Sequence, residues 1–181
     1  MKQASPTLYS ANREFWSDTV RPQPGRTLIV GSHVYPGRED RRAAFPYSVG
    51  VDMLDGPGVD RVLNLEEAAP DNLGVFAHIE CRSVLEHSRR PWLLAANLVA
   101  LLEVGGTLDL SVPFVWKYHG YAHDYFRFTA EGIRSLFPGI DWKSLMYAGE
   151  KLKESYRTGQ CMSNGHHYIE RTEVLGFGVK T

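Results

Sequence analysis

The sequence predicts an α/β fold, with one mostly parallel sheet and an antiparallel edge at its C-terminal end. Three observations point there. Two short apolar runs rich in β-branched residues, Thr27-Leu28-Ile29-Val30 and Ser48-Val49-Gly50-Val51, end directly in Gly31 and Asp52. Unbroken apolar runs of this kind suit strands buried on both faces, as parallel strands are. The strongest helical pattern, Pro91 to Val104, stops at Gly105-Gly106 and leads into the strand-like run Thr107 to Phe114, the form of a crossover between parallel strands. Two further strand-like runs, Trp142 to Ala148 and Thr172 to Val179, close the chain. The polar stretch between them carries no clear element, so this last pair reads as antiparallel.

The elements follow in order. Residues 1–24 form an N-terminal extension in which Asn12 to Val20 reads as a short helix capped by Asn12 and ended by Pro22-Gln23-Pro24-Gly25. The first strand covers about 27–31. The charged run Arg38 to Phe45 allows only a couple of helical turns before Pro46. The second strand covers about 48–53, and Asp55-Gly56-Pro57-Gly58 is a turn. Val59 to Leu65 reads as the third strand, Pro70-Asp71-Asn72 as the start of a weak helix, and Phe76 to Cys81 as the fourth strand. The Pro91 helix and the fifth strand come next. Thr129 caps a helix that Pro138-Gly139 ends. Residues 149–169 read as a variable loop.

The chain of 181 residues suits one domain with a hydrophobic core of its own. Its net charge of -1 argues against general nucleic-acid binding or attraction to anionic membranes. No apolar stretch is long enough to span a bilayer, and Met1 to Pro6 is not followed by a signal-peptide core. The two cysteines, Cys81 and Cys161, form neither a disulfide framework nor a metal-ligand spacing. They fit reduced thiols in a cytoplasmic protein. Gly165-His166-His167 with Cys161 is a weak metal pattern, better read as a polar surface loop. No resident metal is expected. Nothing in the sequence sets an oligomeric state.

A strand ending in Gly, then a crossover, then a strand ending in an acid is how open α/β sheets hold a nucleoside. The glycine string is interrupted here, however, reading Gly31-Ser32-His33-Val34-Tyr35-Pro36-Gly37. It opens no good helix to receive a pyrophosphate, which argues against a nicotinamide dinucleotide.

Downstream motifs are more specific. Cys81-Arg82-Ser83-Val84-Leu85-Glu86-His87, the Pro91 helix, Leu102-Glu103-Val104-Gly105-Gly106-Thr107-Leu108, Ser111-Val112-Pro113-Phe114 and His123-Asp124-Tyr125-Phe126-Arg127-Phe128-Thr129 follow one another in that order. Over residues 27–137 the chain resembles the class I S-adenosylmethionine-dependent methyltransferases, of the small-molecule type with a Leu-Glu-His turn after strand four. The resemblance implies a Rossmann-like sheet, S-adenosyl-L-methionine as cofactor and a small-molecule acceptor. It puts Gly31 and Ser32 beside the amino-acid part of the cofactor, Asp52 on the ribose hydroxyls and Met53 on the adenine. Asn64 and Leu65 fall near the adenine amino group and ring, and Cys81 and Arg82 line the methionine part. His87, His119, His123 and Asp124 are the acid/base candidates, with His87, His123 and Asp124 foremost.

Some readings stay open. Glu86-His87 also suits a turn-fixing role, Asp124 also suits a pair with Arg127, and Glu66 is an alternative hydroxyl acceptor. The aromatics Trp116, Tyr118, Tyr121, Tyr125, Phe126 and Phe128 suit an acceptor pocket or loop packing. Oxygen or nitrogen is the expected methyl acceptor, because no carbanion-forming group is apparent. The family usually has an acid in strand one, two residues before the first glycine. Ile29 stands there in this chain. The rival reading is a non-catalytic interaction module of the same fold.

Overall fold

The computed structural model describes residues 25–67, 73–120, 123–151 and 171–181. Among them the strands form one sheet in the order β3-β2-β1-β4-β5-β7-β6. The strands are β1 (Thr27–Val30), β2 (Ser48–Asp52), β3 (Arg61–Val62), β4 (Phe76–Arg82), β5 (Leu102–Pro113), β6 (Ile140–Lys151) and β7 (Arg171–Lys180). The first five run parallel. β7 is antiparallel to both β5 and β6. The sheet is therefore parallel with an antiparallel end, as the pattern of apolar runs indicates.

All of β1 is buried, in keeping with its central place and its lack of a polar residue beyond Thr27. The α-helix α1 (Pro91–Leu101) starts on its proline and buries Pro91, Leu94, Ala95, Leu98 and Leu101. This three-and-four spacing lays one apolar stripe on the sheet. The second helix, α2 (Ala130–Leu136), is capped by Thr129, whose hydroxyl accepts from the Gly132 amide at 2.9 Å.

Several boundaries differ from the sequence-based expectation. The helix ends at Leu101 and β5 begins at Leu102, because Leu102 already pairs with Phe76. Gly105-Gly106 lies inside the strand, where the register shifts before His78 meets Thr107. β3 is two residues long rather than seven. The Asp60 amide donates to Gly50 O and the Leu63 amide to Asp52 O, both at 2.8 Å, so backbone bonds to β2 bracket this short pair, and the Asp60 carboxylate accepts from the Gly50 amide at 2.7 Å. Only a 3₁₀ turn, Arg41–Ala44, fills the crossover from β1 to β2, with Asp40 as its cap. β6 extends to Lys151 and so takes in the first residues of the expected 149–169 loop. The remainder of that loop, the N-terminal extension with its helix, and Pro70-Asp71-Asn72 lie outside the described residues, as do Tyr121, Cys161, His166 and His167. No described helix is long and apolar enough to cross a membrane.

Candidate active site

A cavity of about 1700 Å³ opens at the carboxyl ends of the parallel strands. Its wall includes Gly31, Asp52, Leu63, Arg82 and Pro113 from the ends of five successive strands or the turns after them. The order β2-β1-β4 makes the gap between β1 and β4 the point where the chain reverses direction across the sheet, the usual binding crevice of an open α/β sheet. The volume exceeds the few hundred to a thousand Å³ typical of a single small-ligand pocket, leaving room for two ligands side by side.

The altered glycine turn does not block this cavity. Gly31 has φ +67°, and a Cβ there would stand 2.6 Å from the Val84 side chain. It is a glycine for both conformational and steric reasons. The chain then stays beside β2, since the Ser32 amide donates to Val51 O at 3.1 Å and the Val34 amide to Pro57 O at 2.8 Å. The bulk of Val34 is met by Gly58, where a Cβ would lie 2.6 Å from Val34 Cγ2. Tyr35 stands in the cavity wall.

At the end of β2, Asp52 Oδ2 accepts from the His33 amide at 3.1 Å and Oδ1 from the Leu54 amide at 3.0 Å. Each carboxylate oxygen keeps further acceptor capacity. Met53 is 62% exposed beside it and joins the wall. Leu65 is buried behind. Asn64 is engaged locally, accepting from the Glu66 amide and donating to Glu67. Glu66 accepts from the Arg89 amide at 2.8 Å.

Position 29 lacks an acid, but the next strand carries one at the same level. Ile29 pairs with Glu80 in the β1–β4 register. Glu80 is buried and meets Arg41 at 2.8 Å and Arg82 at 3.2 Å. Arg41 also donates to Val30 O at 3.1 Å and Gly31 O at 2.5 Å, and so closes the end of β1. The run Arg38 to Arg42 is thus not simply a solvated face. Arg82 and Ser83 border the cavity. Cys81 alternates to the opposite side and is fully buried in the core, so its side chain does not reach the cavity wall. Burial also pushes its thiol pKa far up. Behind Glu80, His78 Nδ1 bonds the Thr107 hydroxyl at 2.8 Å and Nε2 stands 3.5 Å from Asp109. Burial holds His78 neutral, its pKa lowered to about 4, and pushes the Asp109 carboxyl well above its usual range.

The other end of the cavity collects the histidines. A 3₁₀ turn, Leu85–His87, follows β4, and the backbone of Glu86 accepts the Tyr125 amide at 2.7 Å. This bond joins the segment 123–128 to the turn. His87 Nδ1 bonds the carbonyl of His123 at 2.6 Å. His119 lies against His87, ring centroids 5.1 Å apart. Asp124 does not face His123. Its partners are Arg127, at 2.5 and 2.7 Å, and His119, whose amide and Nδ1 lie 2.9 and 3.1 Å from Oδ2. Arg127 holds the Asp124 carboxyl far below the usual carboxylate range. The acid–histidine contact is therefore Asp124 with His119, and Asp124 itself sits behind the wall. The ring of His123 packs on Tyr125 instead, centroids 5.4 Å apart.

Glu86 is fully buried, and neither carboxylate oxygen has a hydrogen-bond partner among the described residues. Burial pushes its pKa up to about 8. The aromatic run divides between two roles. Trp116 and Tyr125 border the cavity, Phe126 and Phe128 pack with the core, and Tyr118 is 72% exposed.

Sequence reasoning underrated Glu80, Arg41 and the side chain of Glu86. A signal existed for the two acids. Glu80 is a lone charge between Ile79 and Cys81, and Glu86 follows Val84-Leu85 in the same apolar context.

No family model matches the chain, and no curated protein matches it in sequence. Solved structures do match. The 1,6-didemethyltoxoflavin-N1-methyltransferase of Burkholderia thailandensis, with 1,6-didemethyltoxoflavin and S-adenosylhomocysteine bound, superposes with a TM-score of 0.60 at 18% identity, over 100% of this chain and 92% of that one. The N-methyltransferase NodS of Bradyrhizobium japonicum, in complex with S-adenosyl-L-homocysteine, gives 0.58 at 11% identity, over 96% and 85%. An S-adenosylmethionine-dependent methyltransferase of Clostridium acetobutylicum gives 0.57 at 9% identity, over 86% and 83%. The Rossmann-like sheet described above, with its antiparallel C-terminal end, is the class I methyltransferase fold.

Proposed function

We propose that the protein is an S-adenosyl-L-methionine-dependent methyltransferase, folded as a single domain, acting on oxygen or nitrogen of a small or medium-sized acceptor. The observation that carries this reading is the cavity itself. It runs from Asp52 and Met53 at one end to His87, His119 and Tyr125 at the other, with space for a nucleoside cofactor and a second molecule.

The donor set fits the cofactor. Asp52 has acceptor capacity for ribose hydroxyls, Met53 and Leu63 offer an apolar slot for the adenine, and Asn64 and Leu65 form the floor of that region. Gly31, Ser32 and Arg82 border the part of the cavity assigned to the methionine portion; Cys81 contributes to the core beneath. When bound, the cofactor supplies a methyl group activated by a sulfonium, so the protein's task is mainly to hold the acceptor in line and keep water out. In this proposal His87 and His123 bound the acceptor subsite and His87 or His119 receives the acceptor's proton. Asp124 acts through His119 as a positioning residue. Trp116 and Tyr125 supply flat walls for the acceptor.

The test is turnover with methyl-labelled S-adenosyl-L-methionine and a panel of phenols, sugars and amines, following S-adenosylhomocysteine release. Acceptor-dependent release is expected. His87→Ala is expected to lower kcat while leaving cofactor affinity unchanged. Cofactor binding without turnover across the panel, together with unchanged folding, would favour the interaction-module reading.

A further inference from the structure

Glu86 poses a problem that the methyl-transfer chemistry does not solve. Its carboxylate is buried, with both oxygens unpartnered among the described residues. A buried polar group in that state is strongly disfavoured unless something satisfies it. Two ring nitrogens point at the same oxygen. His87 Nε2 and His119 Nε2 each stand 3.8 Å from Glu86 Oε1. That is too long for a hydrogen bond to a protonated carboxyl, which would draw the atoms below about 3.2 Å. The gap has the size of an intervening atom.

The tautomers agree. His87 Nδ1 contacts the His123 carbonyl at 2.6 Å, and a carbonyl can only accept, so Nδ1 carries the proton. His119 Nδ1 contacts the Asp124 carboxylate at 3.1 Å, with the same consequence. In the neutral rings both Nε2 atoms are therefore lone pairs. A histidine whose far nitrogen donates to a carbonyl or a carboxylate is the usual outer-shell arrangement of metal-binding histidines. Asp124 is itself fixed by Arg127.

We infer that Glu86, His87 and His119 form a binding site for a divalent first-row transition metal ion, zinc first among them, with one coordination position open to the cavity. The three ligand atoms lie within 4.8 Å of one another. A tetrahedral ion with bonds of about 2.0–2.1 Å holds its ligands about 3.3 Å apart, so modest ring rotations close the site. Two histidines and one glutamate are a recognised donor set for zinc with an open fourth position. All three residues border the cavity. A bound ion would thus face the acceptor subsite, an assignment that rests on the methyltransferase reading. There it would lower the pKa of an acceptor hydroxyl. With both Nε2 lone pairs held by the ion, the hydroxyl proton passes to water in place of His87 or His119, the oxygen forms the new O–CH3 bond, and the S–CH3 bond breaks to leave a neutral thioether.

The experiment needs no cofactor. The full chain is stripped with a chelator, then titrated with zinc chloride by calorimetry and with cobalt chloride by visible absorption. One equivalent should bind, and cobalt should show the d–d bands of a low-coordinate histidine/carboxylate site. Glu86→Gln and His119→Ala should each weaken zinc binding by at least about 100-fold, and Asp124→Asn by about tenfold. Circular dichroism and an unchanged S-adenosylhomocysteine affinity in His119→Ala exclude simple unfolding. His119→Gln serves as a second variant if His119→Ala does not fold. His166→Ala/His167→Ala should retain the site. The inference is overturned if the wild type binds no zinc at about 100 µM, or if binding survives loss of His119, or if it disappears with His166 and His167. Failure to bind S-adenosylhomocysteine alongside normal zinc binding would count against the methyltransferase reading alone.

Discussion

Gly31→Ala tests the turn on which the cofactor end of the cavity depends. Two separate penalties follow from the structure. Gly31 has φ +67°, and a left-handed conformation costs an alanine about 1 kcal/mol. The added Cβ would also stand 2.6 Å from Val84 Cγ2, and such overpacking costs roughly 1–3 kcal/mol. The single variant should lose about 3 kcal/mol in a urea melt. The two parts separate in a double-mutant cycle. In a Val84→Ala background the clash is gone, so Gly31→Ala should then cost only about 1 kcal/mol. The coupling energy of about 2 kcal/mol is the measured quantity. Equal costs in both backgrounds would mean that the turn and the residue after β4 are not in contact, and the described path of the 31–35 segment would be wrong.

Three further outcomes follow from the same geometry. Asp52→Ala should weaken S-adenosylhomocysteine binding by about tenfold or more through lost charge-assisted hydrogen bonds; calorimetry showing affinity within twofold of wild type would remove Asp52 from the ribose. Arg41→Leu strips one partner from buried Glu80 and two carbonyls at the end of β1, and should cost about 3 kcal/mol in a urea melt; a loss under about 1 kcal/mol would mean Arg82 alone satisfies Glu80. The buried His78–Asp109 pair gives opposite pH effects. His78 is protonated near 6.5 when unfolded but near 4 when folded, so its stabilisation is present above pH 6.5 and is lost as pH falls toward 4. Asp109 is raised, so its stabilisation is present at low pH and is lost as pH rises. Asp109→Asn leaves His78 to act alone. Between pH 7 and 4.5 that variant should lose roughly 2 kcal/mol more than Asp109→Asn/His78→Gln, and parallel profiles for the two would contradict the burial of a neutral imidazole.

Much of the architecture was legible because parallel strands announce themselves. Thr27 to Val30 is buried on both faces and reads as an apolar run, Phe76 to Cys81 reads as a strand despite His78 and Glu80, and α1 shows both its proline start and its apolar stripe. The errors come from long-range contacts that local pattern does not contain. Val59 to Leu65 looks like a full strand, yet it lies at the sheet edge, where only Arg61 and Val62 pair with β2. Gly105-Gly106 looks like a helix stop, yet the pull of Phe76 on Leu102 begins β5 earlier.

The site divides the same way. Asp52 and Arg82 border the cavity, a placement legible from their positions at the carboxyl ends of strands. The Cys81 side chain lies in the core while Arg82 borders the cavity, because a one-residue step along a strand reverses the face. The contacts of Asp124 with Arg127, a pairing the sequence left open, and with His119 rather than His123 depend on where residues 123–128 meet Glu86. That an acid, Glu80, stands beside Ile29 is visible only once the register is known.

The central claim is that the cavity between Asp52 and His87 holds S-adenosyl-L-methionine despite the altered Gly31–Gly37 turn. Titration of the purified chain with S-adenosylhomocysteine, followed by calorimetry and thermal melting, tests it most directly. Saturable binding at one equivalent is expected, with about 2.7 kcal/mol of added stability at 100 times the dissociation constant. Absence of both heat and stabilisation at about 1 mM ligand would contradict it.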